Sequence, residues 1–204
     1  MTEKMILVGG GGHCRSVIEV IESTGLYRIE GILDTAEMVG RKVLDYEIIA
    51  TDAEISRLAA ECPNFLIAVG QIKSHETRMR LFGAVKAAGA ILPPVMASTA
   101  MVSKRARIGE GTIVMHQAMV NAGAEIGPNC IINTRALVEH DAVVGAHCHI
   151  STAAVVNGAA RIGEGAFIGS GAVLREGVKV GREAVIGCGA AVVRDVAEGE
   201  VYKG

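Results

Sequence analysis

The chain has 204 residues, a formal charge of −2 and an apolar share of one half, with 3% aromatic residues and no Trp. No basic patch marks it as a nucleic-acid binder, no apolar run is long enough to cross a bilayer, and the apolar run of "MTEKMILVGG" is too short for a signal peptide. A core must therefore be filled with Val, Ile, Leu, Ala and Met, and the 26 glycines exceed the roughly 7% of an ordinary domain.

The first half, residues 1–94, alternates strands and helices. "MILVGG" predicts a buried strand running into a tight turn. "HCRSVIEVIESTG" predicts a helix closed by Gly25, with Val17, Ile18 and Ile21 on its apolar face. "YRIEGILD" is a second strand, "TDAEISRLAAECP" a capped helix with a proline stop, "NFLIAVG" a third strand and "IKSHETRMRLFGAVKAAG" a third helix. Such alternation implies a small Rossmann-like α/β domain with a parallel sheet. "LPPVMAS" reads as the linker.

Residues 95–204 obey another rule. Every sixth residue from Val102 to Val192 is Val, Ile or Leu, and a small residue, mostly Ala, stands two places before each, with only Val178 larger. Residues two apart on a strand share a side, so both of these point inward. Gly or Asn often follows the aliphatic residue, as at Gly109, Gly127, Asn133, Gly145, Asn157, Gly163 and Gly181, where left-handed backbone angles would turn a corner. Three six-residue sides make an 18-residue coil, and stacked coils make a parallel β-solenoid. Cys130 and Cys148 then stack as small core residues. The five scattered cysteines form no CxxC pair and read as reduced cytoplasmic thiols. Outward Met115, Met119, Ile131, Leu137 and Phe167 imply covered faces.

Two stretches carry chemistry. "GGGGHC" at 9–14 lies between a strand and a helix, where backbone amides can receive a phosphate. Asp34 follows about 20 residues on, where a dinucleotide fold places its ribose acid, but the GxGxxG fingerprint fails at Cys14 or Arg15. With His13, Gly70 and Gln71, the pattern favours a nucleoside diphosphate over NAD. In the solenoid, His140 stands near a corner beside Asp141, with small residues Ala122 and Gly158 one coil below and above. An acid beside a histidine can hold one ring nitrogen as donor and leave the other free as a base. His147 and His149 share a strand face, yet no third histidine lies whole coils away, and a metal site ranks below acyl transfer. His75 reads as a helix-surface residue.

"GGGGH", "ILD" and "IAVG", followed by an uninterrupted hexapeptide solenoid with "NTRALVEHD" and "HCHIS", resemble a family of bacterial nucleotide-sugar acetyltransferases. The resemblance is to the sialic acid O-acetyltransferase and UDP-4-amino-sugar N-acetyltransferase type, including bacillosamine and perosamine pathway enzymes. It covers essentially the whole chain and implies a left-handed parallel β-helix, where general rules favour right-handed crossovers. It further implies catalytic His140 and Asp141, acetyl-CoA contacts at His149, Asn133 and Gly158, and a homotrimer with active sites between subunits. The nucleotide-sugar contacts would be Gly11, Gly12, His13, Asp34, Thr35, Gly70 and Gln71. The expected reaction is direct acetyl transfer from acetyl-CoA to the 4-amino group of a nucleotide-linked sugar in the cytoplasm. O-acetylation of a sialic acid is the alternative enzyme reading, and a non-catalytic nucleotide-sugar-binding trimer the alternative from another class. Related proteins continue past "EGEVYKG" into a short basic tail, which leaves Arg194 and Lys203 as possible phosphate partners.

Overall fold

In the computed structural model, which describes residues 2–72 and 74–204, the two halves differ as their residue patterns imply. Strand β1 (Glu3–Val8) leads into α1 (Gly12–Thr24) and β2 (Tyr27–Leu33). A hairpin of β3 (Lys42–Val43) and β4 (Tyr46–Ala50) follows, then α2 (Ile55–Ala59), β5 (Asn64–Ile67) and α3 (Glu76–Ala87). The sheet order is β3-β4-β2-β1-β5, parallel except for the β3/β4 pair. Helix α1 ends where Gly25 takes the left-handed conformation, φ 63°. The hairpin has no counterpart in the expected elements, and α2 is shorter than "TDAEISRLAAECP" implied, its first residues forming a 3₁₀ turn.

From β6 (Val95–Met96) to β23 (Val201–Tyr202) the chain runs in two-residue strands that pair in parallel with the strand 18 residues away through most of the column, as Ile131 does with His149. Three sheets result, the walls of a triangular prism. Its interior is the expected ladder, with Val120, Val138, Val156 and Leu174 on one wall and Ala118, Ala136, Ala154 and Ala172 beside them, all buried. Cys130 and Cys148 stack in this core as free thiols, donating to the carbonyls of Gly145 (3.1 Å) and Gly163 (3.0 Å).

The corners correct one expectation. The left-handed residue falls at every sixth position from Gly111 to Gly189, three places after each aliphatic residue rather than one. Gly109, Gly127, Gly145, Gly163 and Gly181 are needed for another reason. An added Cβ on Gly127 would lie 2.7 Å from the backbone of Gly145 and Ala146 in the next coil, so these glycines stack where successive coils leave no room for a side chain.

The walls differ outside. One carries Arg107, Glu125, Arg161 and Lys179 into solvent. A second carries Met101, Met119, Leu137, Val155, Val173 and Ala191, an unbroken apolar column that is partly or fully exposed. The third is the docking wall: Ile113, Met115 and Ile131 are sealed in one core with Cys14, Val17, Ile18 and Ile21 of α1. So two of the outward apolar residues, Met115 and Ile131, are covered by the chain's own N-terminal half.

Candidate active site

His140 and Asp141 occupy the corner between the apolar and charged walls. Asp141 is the left-handed residue, φ 58°, a conformation Asp tolerates. Its Oδ2 lies 3.0 Å from His140 Nδ1, so Nδ1–H donates to the carboxylate and Nε2 keeps its lone pair. Glycines one coil away make the space. An added Cβ on Gly158 would lie 2.8 Å from His140 Nε2, and one on Gly123 would collide with Asp141 Oδ1. Gly158 thus leaves the room that the imidazole occupies. The hydrogen bond to Asp141 raises the His140 pKa above its ordinary value, with further help from Glu139 and Glu176. Neither glutamate stood out in the sequence, because each lies on a solvated corner.

A cleft of ≈ 630 Å³ opens at the C-terminal ends of β1, β2 and β5, beside β1, where strand order reverses. Gly11, Gly12, His13, Asp34, Thr35 and Gly70 all line it. Gly11 and Gly12, at the start of α1, face open space. The Asp34 carboxylate accepts N–H bonds from Gly10 and Thr35, so it ties down the glycine turn as well as edging the cleft. Arg80 and Asp52, paired at 3.1 Å, also line the cleft and were not read from the sequence.

Gln71 turns away from the cleft. It is buried against the solenoid, its Nε2 donating to Gly165 O (3.3 Å) and its carbonyl meeting His149 Nδ1. His149 does point outward from its wall, as expected, but the N-terminal half covers it, leaving 6% exposed. Its Nε2 lies 2.9 Å from Asn133 Nδ2, so Nδ1 carries the proton and Nε2 accepts. Burial, then the nearby Arg78, push its pKa down to about 4. His147 does not share its surroundings: it sits at a left-handed corner against Asn129 (2.9 Å) and the edge of Phe82. His75 is not a free helix-surface residue either, since its ring packs on Gly165, where an added Cβ would lie 3.0 Å away. Arg194 is held by Glu200 (2.7 Å) and Tyr202, while Lys203 is exposed.

Residues 4–83 match the PglD N-terminal domain, and residues 105–140 and 159–194 match the bacterial transferase hexapeptide (six repeats). The acetyltransferase domain of PglB from Neisseria gonorrhoeae FA1090, in complex with acetyl coenzyme A, is 34% identical. The match covers 98% of this chain and 95% of that one, with a TM-score of 0.90. This chain belongs to the hexapeptide-repeat sugar acetyltransferases. PerB from Caulobacter crescentus, in complex with CoA and GDP-perosamine, is 32% identical over 97% of this chain and 92% of that one, TM-score 0.89. WeeI from Acinetobacter baumannii AYE, at 21% identity and TM-score 0.85, shares the fold over 97% of this chain and 95% of that one. Comparison with curated proteins gives no match. For a hexapeptide-repeat acetyltransferase the prism is a left-handed parallel β-helix, and the chain is an acyltransferase. No helix among the described residues is long and apolar enough to cross a membrane.

Proposed function

We propose that this enzyme transfers an acetyl group from acetyl-CoA to the 4-amino group of a nucleotide-linked sugar, directly, with His140 as general base. The observation that carries the reading is the exposed His140 ring, oriented by Asp141 through Nδ1 and free at Nε2 beside Gly158. Nε2 accepts the proton as the amine nitrogen attacks the thioester carbonyl. The N–C bond forms, the C–S bond breaks and CoA leaves as thiolate, which takes up a proton. General-base help of this kind is worth about 10²–10⁴-fold. The three carboxylates around the ring, Asp141, Glu139 and Glu176, would draw in the amine as its ammonium form, which gives one proton to solvent before the neutral nitrogen attacks and passes the second to Nε2. Direct transfer is supported by the thiols: Cys130 and Cys148 are sealed in the core.

Residues 1–94 would hold the nucleotide sugar in the cleft, and residues 95–204 would carry out the chemistry, with acetyl-CoA contacts at Gly158 of one subunit and at His149 and Asn133 of its neighbour. The His140 corner lies across the prism from the docking wall, so a sugar held in one subunit's cleft would meet His140 of a neighbour. The uncovered apolar wall would be the contact, and we propose a homotrimer. Five free cysteines, four of them buried, fit the reducing cytoplasm.

The test follows thiol release from acetyl-CoA with a panel of UDP-, GDP- and CMP-linked amino and hydroxy sugars. Release confined to a 4-amino-sugar nucleotide is expected, whereas release with free sialic acid would replace this reading with O-acetylation. His140→Ala should lower turnover by about 10²–10⁴-fold with nucleotide-sugar affinity nearly intact. Full activity in that variant would sink the base assignment.

A further inference from the structure

The corner between the docking wall and the apolar wall changes character along the column. Toward the C-terminal end its successive coils present only short side chains, Thr152–Ala153, Ser170–Gly171 and Cys188–Gly189. Toward the N-terminal end the same corner is laced shut. Arg135 Nε donates to Gln117 Oε1 one coil below (2.9 Å), and Gln117 N donates to Thr99 Oγ1 another coil below (3.2 Å). Thr99 Oγ1 also lies 2.8 Å from His116 Nδ1. Arg135 holds φ 61° and Gln117 φ 59°, left-handed angles that residues other than glycine adopt seldom. Glycine takes that place at 171 and 189, so the long side chains are kept where they are strained.

On the reading above, the thioester lies between Asn133 and His149 of this corner and His140 and Gly158 of a neighbour, and the proposal rests on it. Asn133 Nδ2 is 2.9 Å from His149 Nε2, so these contacts lie between the coil of Arg135 and the coil above it. A groove between two columns that stand side by side around a threefold axis runs parallel to both, and a linear thioester in it has only two directions. CoA is the bulky end. It needs the direction in which the corner side chains are short, toward Gly171 and Gly189. The acyl chain then takes the other direction, onto Arg135, two residues past Asn133. In the neighbour, Ala122 lies one coil below His140 and is too short to close that end from its own side.

We propose that Arg135, tethered by Gln117, sets the length of the acyl group: its side chain closes the groove just beyond the acetyl methyl, so a two-carbon thioester fits and a longer one overpacks. A longer chain would also strip water from the guanidinium and the Gln117 amide without offering either a partner. One extra methylene against a pocket wall discriminates by about 10–200-fold. Butyryl-CoA, longer by two, should therefore be used at least about 10²-fold less well than acetyl-CoA.

The test uses the full-length protein with its amino-sugar nucleotide and compares acetyl-, propionyl- and butyryl-CoA by thiol release, with the acylated product weighed by mass spectrometry. The wild type should show kcat/KM falling by about tenfold or more at each added methylene. A wild type that uses butyryl-CoA as well as acetyl-CoA overturns the proposal. Arg135→Gly suits the left-handed angle and should raise the butyryl-to-acetyl ratio of kcat/KM by about 10²-fold. A folded, trimeric Arg135→Gly with the wild-type ratio also overturns it. Where that variant does not fold or assemble, Gln117→Ala decides: Arg135 loses its tether, and the ratio should rise by about tenfold. An unchanged ratio refutes the tether and the limit with it. If the acceptor is a hydroxy sugar instead of a 4-amino sugar, the acceptor reading falls, and the same ratio measured with that acceptor still decides the length limit. Absence of transfer from acetyl-CoA to every acceptor removes both.

Discussion

The His140 ring is a base whose strength is set by its neighbours. Because the hydrogen bond to Asp141 raises its pKa, the neutral form dominates only at a pH above the ordinary histidine value of about 6.5. The acid limb of kcat/KM should therefore lie above that value, with activity lost as pH falls through it. In Asp141→Asn the strongest cause of the shift is gone, and the limb should move to lower pH in a pH–rate profile. A limb that stays put would mean Asp141 does not tune the base. Much of this corner was legible, because residues 18 apart stack and small neighbours of His140 could be counted. Gln71 and His149 were less so, because His149 is held by a carbonyl 78 residues earlier in the chain.

Among the elements, the solenoid glycines divide into two kinds that sequence alone merged. Gly127→Ala would drive a methyl into the backbone of the next coil and should cost roughly 1–3 kcal/mol, as overpacking does. Gly171→Ala meets nothing within 4 Å and only has to adopt a left-handed φ of 68°, close to the 55° that Ala153 and Ala159 already hold. It should cost about 1 kcal/mol. Urea midpoints of the two variants compare them, and equal losses would refute the division. The hexad register was readable because an aliphatic residue recurs without a break over ninety residues, with a small residue two places before it everywhere but at Val178. The hairpin at Lys42–Ala50 was not, since its strands are short and its turn uses Leu44 at φ 51° instead of glycine. Neither residue type nor periodicity marks such a turn.

At the scale of the whole molecule, the apolar wall is the surface that most needs a partner. Val155 stands near its middle. Val155→Asp should shift the sedimenting species to a monomer and lower turnover while leaving UDP or GDP binding in the cleft unchanged. A trimer that survives the substitution would place the contact elsewhere. The same prism also limits how its length can change. The chain bends every sixth residue but returns to the same wall only every eighteenth. Gain or loss of one full turn would preserve both the interior columns and the identity of each outer surface. An added hexad would keep the interior satisfied yet rotate everything downstream by a third of a revolution, laying the Leu137 column over the charged side and carrying His140 to a different edge. Viable indels between Gly111 and Gly189 should therefore come in whole windings, a quantum imposed by shape rather than by hydrophobicity.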